Sequence, residues 1–439
     1  MHRPRSAIAA SLLLLVAAGC SRITAATVSS TGEQANFGVS SGPTLSTNGR
    51  FVAYDSEATN LVPGDTNGSA DVFVHDERTG RTERVSVAPD GTQGNGQSLQ
   101  PKISGNGRFV VFKSDATNLV PGDTNGVTDV FVRDRWLHRT RRVSVSTAGA
   151  QANGVSSQNA FPNISADGRV VSFVSYASNL VPNDDNGTAD TFVHVLRTGR
   201  TEMVSVASDG THGDGWAGGN TALSANGRDV IFAADGSNLV PGWTNHHRDV
   251  FVHDRLTGRT ERISVASDGT QGNADGMDLG LWITGDGRYV CFRSYASNLV
   301  PGDTNGTTDV FVHDRRTGHT ERVSVASGGV QAHGEADTHI NDATLSADGR
   351  YVLFDSFAYD LVPTSIDYSE HVYLHDRLTD RTSRVSQTDD GTPGNYWSGN
   401  SQISGDGRYA AFGTVASNLI PNDANGYGFD IAVARLSPP

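Results

Sequence analysis

The sequence predicts an all-β fold, a β-propeller of seven four-stranded blades, and an internal repeat is the main reason. A Gly-Arg signature recurs at intervals of 58, 61, 59, 60, 62 and 58 residues, and its glycines are Gly49, Gly107, Gly168, Gly227, Gly287, Gly349 and Gly407. A segment that returns at a fixed period is one supersecondary unit used repeatedly. Outside the N-terminus no long stretch has a 3.6-residue apolar period, whereas short Val, Ile, Phe and Thr runs alternate with Asp-Asn-Gly turns. One closed array therefore accounts for nearly all of the 439 residues.

Residues 1–20 predict an export signal, because two arginines precede a short apolar core and a small-residue exit. The end of this segment, Val16-Ala17-Ala18-Gly19-Cys20, resembles a bacterial lipobox, in which the cysteine becomes the lipidated first residue. We therefore expect a lipid on Cys20, a periplasmic or cell-surface location, and contact with a membrane only through this anchor. The alternative is plain cleavage near Ala25 or Ala26. In either case a single propeller domain is predicted for residues 21–439.

Each complete unit predicts four strands, which in the second unit are Pro101 to Ser104, Arg108 to Ser114, Asp129 to Asp134 and Thr140 to Val145. Asn106-Gly107 favours a tight hairpin between the first two strands. The last unit ends without a fourth strand, and AATVSSTGEQAN near the N-terminus aligns with the end of a unit, RVSVSTAGAQAN. We therefore predict that a strand at about residues 25–29 completes the C-terminal blade and closes the ring, which removes an exposed sheet edge.

The hairpins ISADGR (Ile164 to Arg169) and LSADGRYVLF (Leu345 to Phe354), with strands that end in Asp-x-x-Thr-Gly, resemble the repeats of TolB-type, WD-repeat-like propellers. The resemblance covers about residues 24–435. It implies the propeller fold and an extracytoplasmic scaffold, or a substrate-filtering module of a hydrolase. The present repeat is longer because of the ASNLVPGDTNG and DGTQGNG insertions, and no Gly-x-Ser-x-Gly elbow occurs in the order that a peptidase domain needs.

The formal net charge of −14 argues against a nucleic-acid partner, because phosphate backbones are bound by basic surfaces.

The two cysteines of the sequence do not predict a disulfide. Cys20 belongs to the leader, and Cys291 occupies a position that holds Val111 in the second unit, so it is predicted to be a small core residue.

Topology predicts two different faces. In an antiparallel meander the first-to-second and third-to-fourth turns lie at one end of the strands, which we call the short-turn face. The second-to-third loops and the blade-to-blade connections lie at the other end, the long-loop face. Polar loops held on rigid strands are where binding sites accumulate, so the long-loop face is the predicted binding face.

The sharpest motif of the long-loop face is Asp-x-Asn-Gly-x-x-Asp. Oxygen ligands on alternate residues are typical of Ca²⁺ sites, but each loop offers three side chains where calcium takes about six to eight oxygens. The alternatives are a calcium site completed by backbone, water or a neighbouring loop, and a self-capped Asx turn. The residues are Asp65, Asn67 and Asp71; Asp123, Asn125 and Asp129; Asp184, Asn186 and Asp190; Asp303, Asn305 and Asp309; and Asp423, Asn425 and Asp430.

Two further polar patterns are predicted to be structural. Histidines recur at one point of the third strand, as His75, His194, His253, His313 and His375, and equivalent positions on different blades lie too far apart to share a metal ion. The Thr-Glu-Arg sequences of the outer strands are predicted to be a solvated rim, where alternating charges discourage edge pairing.

Aromatic residues that depart from the repeat are the candidate ligand-binding residues. They are Trp216, Trp243, Trp282, Tyr396 and Trp397. Aromatic faces among Asp and Asn side chains suit sugar stacking or the anchoring of a partner side chain, and the alternative is simple loop packing. The inner strands should face a central channel, to which they contribute Lys102, Asn163, Trp282, Thr344 and Gln402.

The predicted function is a monomeric, non-catalytic scaffold that binds an envelope protein or a glycan through the long-loop face. The alternative is a propeller hydrolase or lyase that acts on polysaccharide with a pair of carboxylates. Its candidate residues are Asp275, Asp278, Glu335, Asp337 and Asp342, with His333 or His339.

Overall fold

The computed structural model describes residues 23–39, 41–158, 160–277, 280–333, 343–363, 369–421, 423, 425–426 and 428–436. These residues form seven four-stranded antiparallel sheets, so the predicted seven-bladed propeller is confirmed. We number the blades 1 to 7 in chain order and call the strands of a blade inner, second, third and outer. Within the described residues, no helix has the length and apolar character needed to cross a membrane.

The strand bounds repeat from blade to blade. The inner strands are Thr44–Leu45, Ser98–Ile103, Asn163–Ile164, Ala217–Leu223, Trp282–Ile283, Ala343–Leu345 and Ser398–Ile403. The second strands are Phe51–Ser56, Phe109–Ser114, Val170–Ser175, Asp229–Ala234, Tyr289–Ser294, Tyr351–Ser356 and Tyr409–Thr414. The third strands are Asp71–Asp76, Asp129–Asp134, Asp190–Val195, Asp249–Asp254, Asp309–Asp314, His371–Asp376 and Asp430–Arg435. The outer strands are Arg81–Arg84, Arg139–Arg142, Arg200–Met203, Arg259–Arg262, His319–Arg322, Arg381–Arg384 and, for blade 7, Ile23–Ala25. A small extra hairpin, Val325–Ala326 with Val330–Gln331, lies in the connection after blade 5.

The ring closes through the N-terminal strand Ile23–Ala25, which pairs antiparallel with Asp430–Arg435. The Ala26 N–H extends the pairing by donating to the Ile431 carbonyl at 2.9 Å. Closure is therefore confirmed, but the strand lies earlier than the predicted residues 25–29. The chain leaves the ladder after Ala26 because Thr27 turns its hydroxyl to a buried carboxylate on the third strand.

The core lies between the blades, and the third strands are its centre. In blades 1, 2 and 5, for example, every third-strand residue is buried, because neighbouring blades cover both faces. In blades 1 to 6 a third-strand aromatic ring, such as Phe131, stacks on a second-strand ring, such as Phe112, with centroids 5.8 to 6.0 Å apart. Cys291 is fully buried in this core, and burial raises the pKa of its thiol to about 12.

The outer strands are shorter than predicted. In blade 2 the strand ends at Arg142 rather than at Val145. Val143 still donates its N–H to the Val130 carbonyl at 2.8 Å, but Ser144 then turns its hydroxyl inward. That hydroxyl accepts from the Val130 N–H at 3.1 Å and donates to Asp129. A side-chain hydrogen bond thus replaces the next step of the backbone ladder.

The Glu and Arg side chains of the outer strands do not form the predicted solvated rim. Glu83 of blade 1 accepts from Arg135 of blade 2 at 2.6 Å. The equivalent pairs between later blades are Arg255 with Glu202, Arg315 with Glu261, and Arg377 with Glu321. The Arg84 side chain is only 10% exposed and lies beneath a long loop. The prediction was wrong because it used only the alternation of side chains along one strand. The glutamates form ion pairs with the next blade, and Arg84 forms ion pairs with a long loop.

Candidate functional site

The two faces of the propeller carry opposite charge. The short turns contain 19 Arg against 11 Asp and Glu, which is a net charge of +8. The described residues of the long loops contain 19 Asp and Glu against one basic residue, Arg248, which is −18. The short turns are residues 46–50, 76–81, 104–108, 134–139, 165–169, 195–200, 224–228, 254–259, 284–288, 314–319, 346–350, 376–381 and 404–408. The long loops are residues 26–43, 57–70, 85–97, 115–128, 143–162, 176–189, 204–216, 235–248, 263–281, 295–308, 323–342, 357–370, 385–397 and 415–429.

The Asp-x-Asn-Gly-x-x-Asp loop of blade 1 holds an arginine between its two carboxylates. Arg84 Nη1 lies 3.1 Å from Asp65 and 3.0 Å from Asp71. Asn67 caps the turn, since its side-chain oxygen accepts from the Ser69 N–H at 3.1 Å and its amide donates to Asp71 at 3.0 Å. Burial raises the pKa of both carboxyls, and Arg84 opposes that rise.

Blades 2 and 5 repeat this arrangement, with Arg142 between Asp123 and Asp129 and Arg322 between Asp303 and Asp309. In these blades Asn125 and Asn305 donate to the third-strand carboxylate. A calcium ion would have to displace a buried guanidinium, so the Asx-turn alternative is favoured at these three loops.

Blades 3 and 7 lack the arginine, because Met203 and Ala25 occupy its position. In blade 3, Asp190 accepts from Ser205 at 2.7 Å and from Asn186 at 2.8 Å, and burial raises its pKa to about 6. Its neighbour Asp184 also has a raised pKa, because of burial.

In blade 7 the Gln34 amide replaces the guanidinium and donates to Asp423 at 3.1 Å and to Asp430 at 2.8 Å. The Asp423 carboxylate also caps the loop by accepting from the Asn425 N–H at 3.2 Å. Across the described residues, no group of three or more His, Cys, Asp or Glu side chains is placed to hold a metal ion. Calcium binding therefore stays a prediction, confined to the two blades without the arginine.

The recurring histidines are buried and contact a threonine of the adjacent outer strand, which fits the predicted structural role. Each is buried, and each Nδ1 lies 2.8 to 2.9 Å from an outer-strand threonine hydroxyl. The pairs are His75 with Thr82, His194 with Thr201, His253 with Thr260, His313 with Thr320, and His375 with Thr382. Burial lowers the pKa of every one of these imidazoles, and that of His194 falls to about 4.

Acid should destabilise the propeller partly through His194. Its pKa is about 4 in the folded chain and about 6.5 when unfolded, so the unfolded state binds more protons below pH 6.5. Between pH 7 and pH 5 we expect the parent to lose about 2 kcal/mol more stability than His194→Gln, measured by urea unfolding at both pH values. An identical pH dependence in the two proteins would contradict this assignment.

Trp216 and Trp397 occupy the same repeat position, just before the inner strands of blades 4 and 7. Each ring lies over a glycine two residues later. A Cβ added to Gly218 would lie 2.5 Å from the Trp216 ring, and one added to Gly399 would lie 2.9 Å from the Trp397 ring. The Trp397 indole N–H also donates to the buried Glu370. Both tryptophans are therefore packed against the protein and half-buried.

The other candidate aromatics are separated. Trp243 is half-buried in a blade 4 loop and packs edge-on against His246, with centroids 4.7 Å apart. Trp282 lies on the inner strand of blade 5, in the channel rather than on the long-loop face. Tyr396, in the connection to blade 7, is 46% exposed. The five predicted residues thus lie on three blades and in two different environments.

Sequence reasoning missed four more aromatic residues on the long-loop face. Their exposed fractions are 62% for Phe37, 48% for Tyr176, 48% for Tyr295 and 45% for Tyr359. Tyr176 and Tyr295 share one repeat position, directly after the second strand. The sequence carried a signal for them, because the Ser-Tyr-Ala-Ser-Asn-Leu stretches of blades 3 and 5 contrast with Ser-Asp-Ala-Thr-Asn-Leu in blade 2.

The carboxylates proposed for a hydrolase or lyase are not assembled in the described residues. Asp275 accepts from His247 at 3.1 Å and from the Arg248 N–H at 3.0 Å. His333 pairs with Asp360 at 2.6 Å. The remaining candidates, Asp278, Glu335, Asp337, His339 and Asp342, lie outside the described residues, as does Cys20.

A central cavity of about 290 Å³ opens at the short-turn face. Its rim is a ring of small residues, Thr47, Gly105, Ala166, Ala225, Gly285, Ala347 and Gly405. Its wall is a ring of aliphatic residues, Leu45, Ile103, Ile164, Leu223, Ile283, Leu345 and Ile403. Each ring takes one residue from every blade, so the cavity is a product of the repeat and of ring closure together.

Backbone hydrogen bonds hold the rim together around the axis. The Thr47 N–H donates to Gly105 and the Gly105 N–H donates to Ala166, both at 2.9 Å. Similar bonds cross four of the other junctions, from Asp167 to Ala225, Ala225 to Gly285, Ala347 to Gly405 and Asp406 to Thr47. The rim has little space for larger side chains, since a Cβ on Gly105 would lie 3.0 Å from the Ala166 carbonyl oxygen and would contact the Thr47 hydroxyl.

The predicted channel residues form the floor of this cavity. Lys102, Asn163, Trp282 and Gln402 line both the cavity and a space of about 20 Å³ beyond it. Three of the five predicted residues connect neighbouring inner strands: Asn163 donates to the Thr221 carbonyl, Thr344 accepts from the Ile403 N–H, and Gln402 accepts from the Leu45 N–H. Lys102 and Trp282 instead face each other, with the Lys102 ammonium 5.7 Å from the indole centroid.

Comparisons with known proteins agree with this architecture. The chain is similar to oligogalacturonate lyase from Vibrio parahaemolyticus, with 11% identity over 95% of this chain and 91% of that one and a TM-score of 0.54. It is also similar to the β-propeller domain of the Trilobed protease from Pyrococcus furiosus, with 10% identity, coverage of 88% and 94%, and a TM-score of 0.51. TolB from Acinetobacter baumannii matches with 13% identity, coverage of 83% and 76%, and a TM-score of 0.38. The sequence matches no protein-family model and no curated protein. At these identities the likeness to the first two proteins establishes the fold, a β-propeller whose architecture is shared by proteins of different activities.

Proposed function

We propose that this chain is an exported, non-catalytic propeller, lipid-anchored through Cys20, that binds a protein through its long-loop face. One observation carries the proposal: this face combines a net charge of −18 in its described residues with five exposed aromatic side chains. They are Phe37, Tyr176, Tyr295, Tyr359 and Tyr396. The short-turn face has the opposite charge, so the two ends of the molecule favour different partners.

A protein with a basic surface fits this face best. Acidic loops raise the rate of encounter with a basic partner and disfavour acidic ones. Aromatic side chains, Tyr among them, supply much of the binding energy at protein interfaces, because they are large, lose little entropy and carry a polar tip. A neutral glycan would use the aromatic rings but not the charge, and this difference separates the two ligands experimentally.

The export signal predicted for residues 1–20 and its lipobox-like end support the extracytoplasmic location. The non-catalytic assignment rests on the repeat itself, since the acidic motif recurs in five units and its carboxylates, Asp184 excepted, each contact a neighbouring Arg, Ser or Gln side chain. The likeness to a lyase concerns the fold only. Of the proposed catalytic residues, the two that the structure describes, Asp275 and His333, contact different partners.

The test is site-specific photocrosslinking of the full chain in its host. A photoreactive phenylalanine analogue replaces Tyr295 or Tyr176 on the long-loop face, and Leu256, 75% exposed on the short-turn face, serves as the matched control. We expect a discrete protein adduct from both long-loop positions that diminishes in 0.5 M salt, since screening weakens contacts between exposed charges. We expect no such adduct from Leu256.

Several outcomes would overturn this proposal. One is the absence of a protein adduct from the long-loop positions, and another is the same adducts from both faces. A carbohydrate adduct that is insensitive to salt would show that the long-loop face binds a glycan and not a protein. The anchor is tested separately, because Cys20→Ala should move the chain from the membrane fraction to the soluble fraction without changing crosslinking by a purified partner.

A further inference from the structure

The central cavity has an apolar wall and a single buried cation at its floor. Lys102 is 8% exposed, and its ammonium lies 5.9 Å from the Phe161 ring centroid and 5.7 Å from that of Trp282. None of the residues that line the cavity is Asp or Glu. Cation–π contacts with two rings offset part of the desolvation of an ammonium group, but no side chain in the described part of the chain accepts a hydrogen bond from it.

Lys102 also departs from the repeat. The equivalent inner-strand residues are Thr44, Asn163, Ala222, Trp282, Thr344 and Gln402. Thr44 accepts from the Ile103 N–H at 3.1 Å, and similar bonds join other neighbouring inner strands. The Lys102 side chain, in contrast to the Thr44 hydroxyl, makes no hydrogen bond to any described residue, so it does not join neighbouring inner strands.

An ammonium group in a largely apolar cavity, with no carboxylate among the lining residues, favours a ligand that supplies the counter-charge. Burial lowers the pKa of Lys102 to about 8, and the amine therefore still carries its proton at neutral pH. The surroundings also favour anions, because the short-turn face around the mouth has a net charge of +8. Shape and charge both point to a ligand with an anionic head and an apolar body.

We propose that this cavity binds a medium-chain monocarboxylate, with its carboxylate on Lys102 and its apolar chain between the seven aliphatic residues of the wall. At the packing density of protein interiors, 290 Å³ accommodates on the order of ten to twelve heavy atoms. The carboxylate accepts hydrogen bonds from the Lys102 ammonium at the floor. The ligand enters at the short-turn face, opposite the surface assigned to the protein partner, so the two sites are independent.

Calorimetric titration of the purified chain without its leader tests this site, with decanoate as the probe and 1-decanol and decylamine as head-group controls. We expect decanoate to bind one per chain, at least 30-fold more tightly than decanol, because a charge-assisted hydrogen bond is lost in the alcohol. Decylamine should not bind. Lys102→Met, which keeps the length and apolar character of the side chain, should remove the preference of decanoate over decanol.

A second variant tests the space in the cavity. Ala222 is 2% exposed and lines the cavity at the level of its floor, so Ala222→Leu should fill part of the space and weaken decanoate binding at least tenfold while Lys102 stays in place. Melting curves of both variants show whether they fold. The proposal fails if decanoate and decanol bind equally, if the parent binds neither, or if folded Lys102→Met binds decanoate as tightly as the parent. Decanoate binding unchanged in folded Ala222→Leu would place the ligand elsewhere.

Discussion

Replacing Ala26 with proline should lower the free energy of unfolding by about 3 kcal/mol or more. The Ala26 N–H donates to the Ile431 carbonyl at 2.9 Å, and the residue is fully buried at the junction that closes the ring. Proline removes this donor and places a ring where no space is available. Denaturant unfolding followed by tryptophan fluorescence measures the loss.

A disulfide across the same junction should instead stabilise the protein. Ala25 lies opposite Ala432, and because the next pair along is hydrogen-bonded, these two residues form a non-hydrogen-bonded pair with close side chains. A disulfide from Ala25→Cys with Ala432→Cys should add about 2 to 4 kcal/mol, and a reductant should reverse the gain. Unchanged stability in both Ala26→Pro and the disulfide variant would mean that closure by this strand is not what holds the ring.

Removing the charge of Asp129 should destabilise the chain far more than the same change at Asp190. Asp129 accepts from the buried Arg142 at 3.0 Å, so Asp129→Asn leaves a buried guanidinium facing an amide N–H₂ and should cost about 3 kcal/mol. Asp190 has Met203 in place of the arginine and a pKa raised to about 6 by burial. Asp190→Asn should therefore cost about 1 kcal/mol at pH 7.

The repeat offers a direct control for this comparison. Combining Asp129→Asn with Arg142→Met removes the guanidinium together with this carboxylate and leaves Asp123 without an arginine, as Asp184 is in blade 3, so it should recover part of the loss. Thermal and urea unfolding of the three variants at pH 7 provide the comparison. Equal losses at Asp129 and Asp190 would show that the arginine pair is not the source of the effect.

The blade architecture could be predicted because each unit repeats the same local signals. Hairpin glycines such as Gly107 adopt positive φ angles, and the buried Asp-Val-Phe-Val strands recur in phase with them. The closing strand was placed slightly too late, because the alignment of AATVSS with RVSVST includes residues that leave the ladder. Thr27 and Ser144 both do so, and each turns towards an aspartate on the third strand.

The candidate sites were less accessible to sequence reasoning, because they depend on contacts between distant segments. The position of Arg84 on an outer strand predicts a surface residue. In the structure the loop that contains Asp65 covers it, and the Arg84 guanidinium lies 3.1 Å from the Asp65 carboxylate. Lys102 was recognised as a channel residue. The apolar surroundings of its ammonium group are formed by Phe161 and Trp282, which belong to blades 3 and 5 and approach the lysine only when the ring is complete.

The direction of the closing strand determines how a tethered molecule would stand on a bilayer. Its first residues lie at the arginine-rich end, where the Thr24 hydroxyl donates to Glu77 at 3.0 Å. The proposed acyl group on Cys20 would be three residues upstream of Ile23, and three extended residues span at most about 10 Å. The cavity mouth would then face the membrane surface, within reach of amphiphiles that leave the leaflet, and the acidic loops would point away from the bilayer.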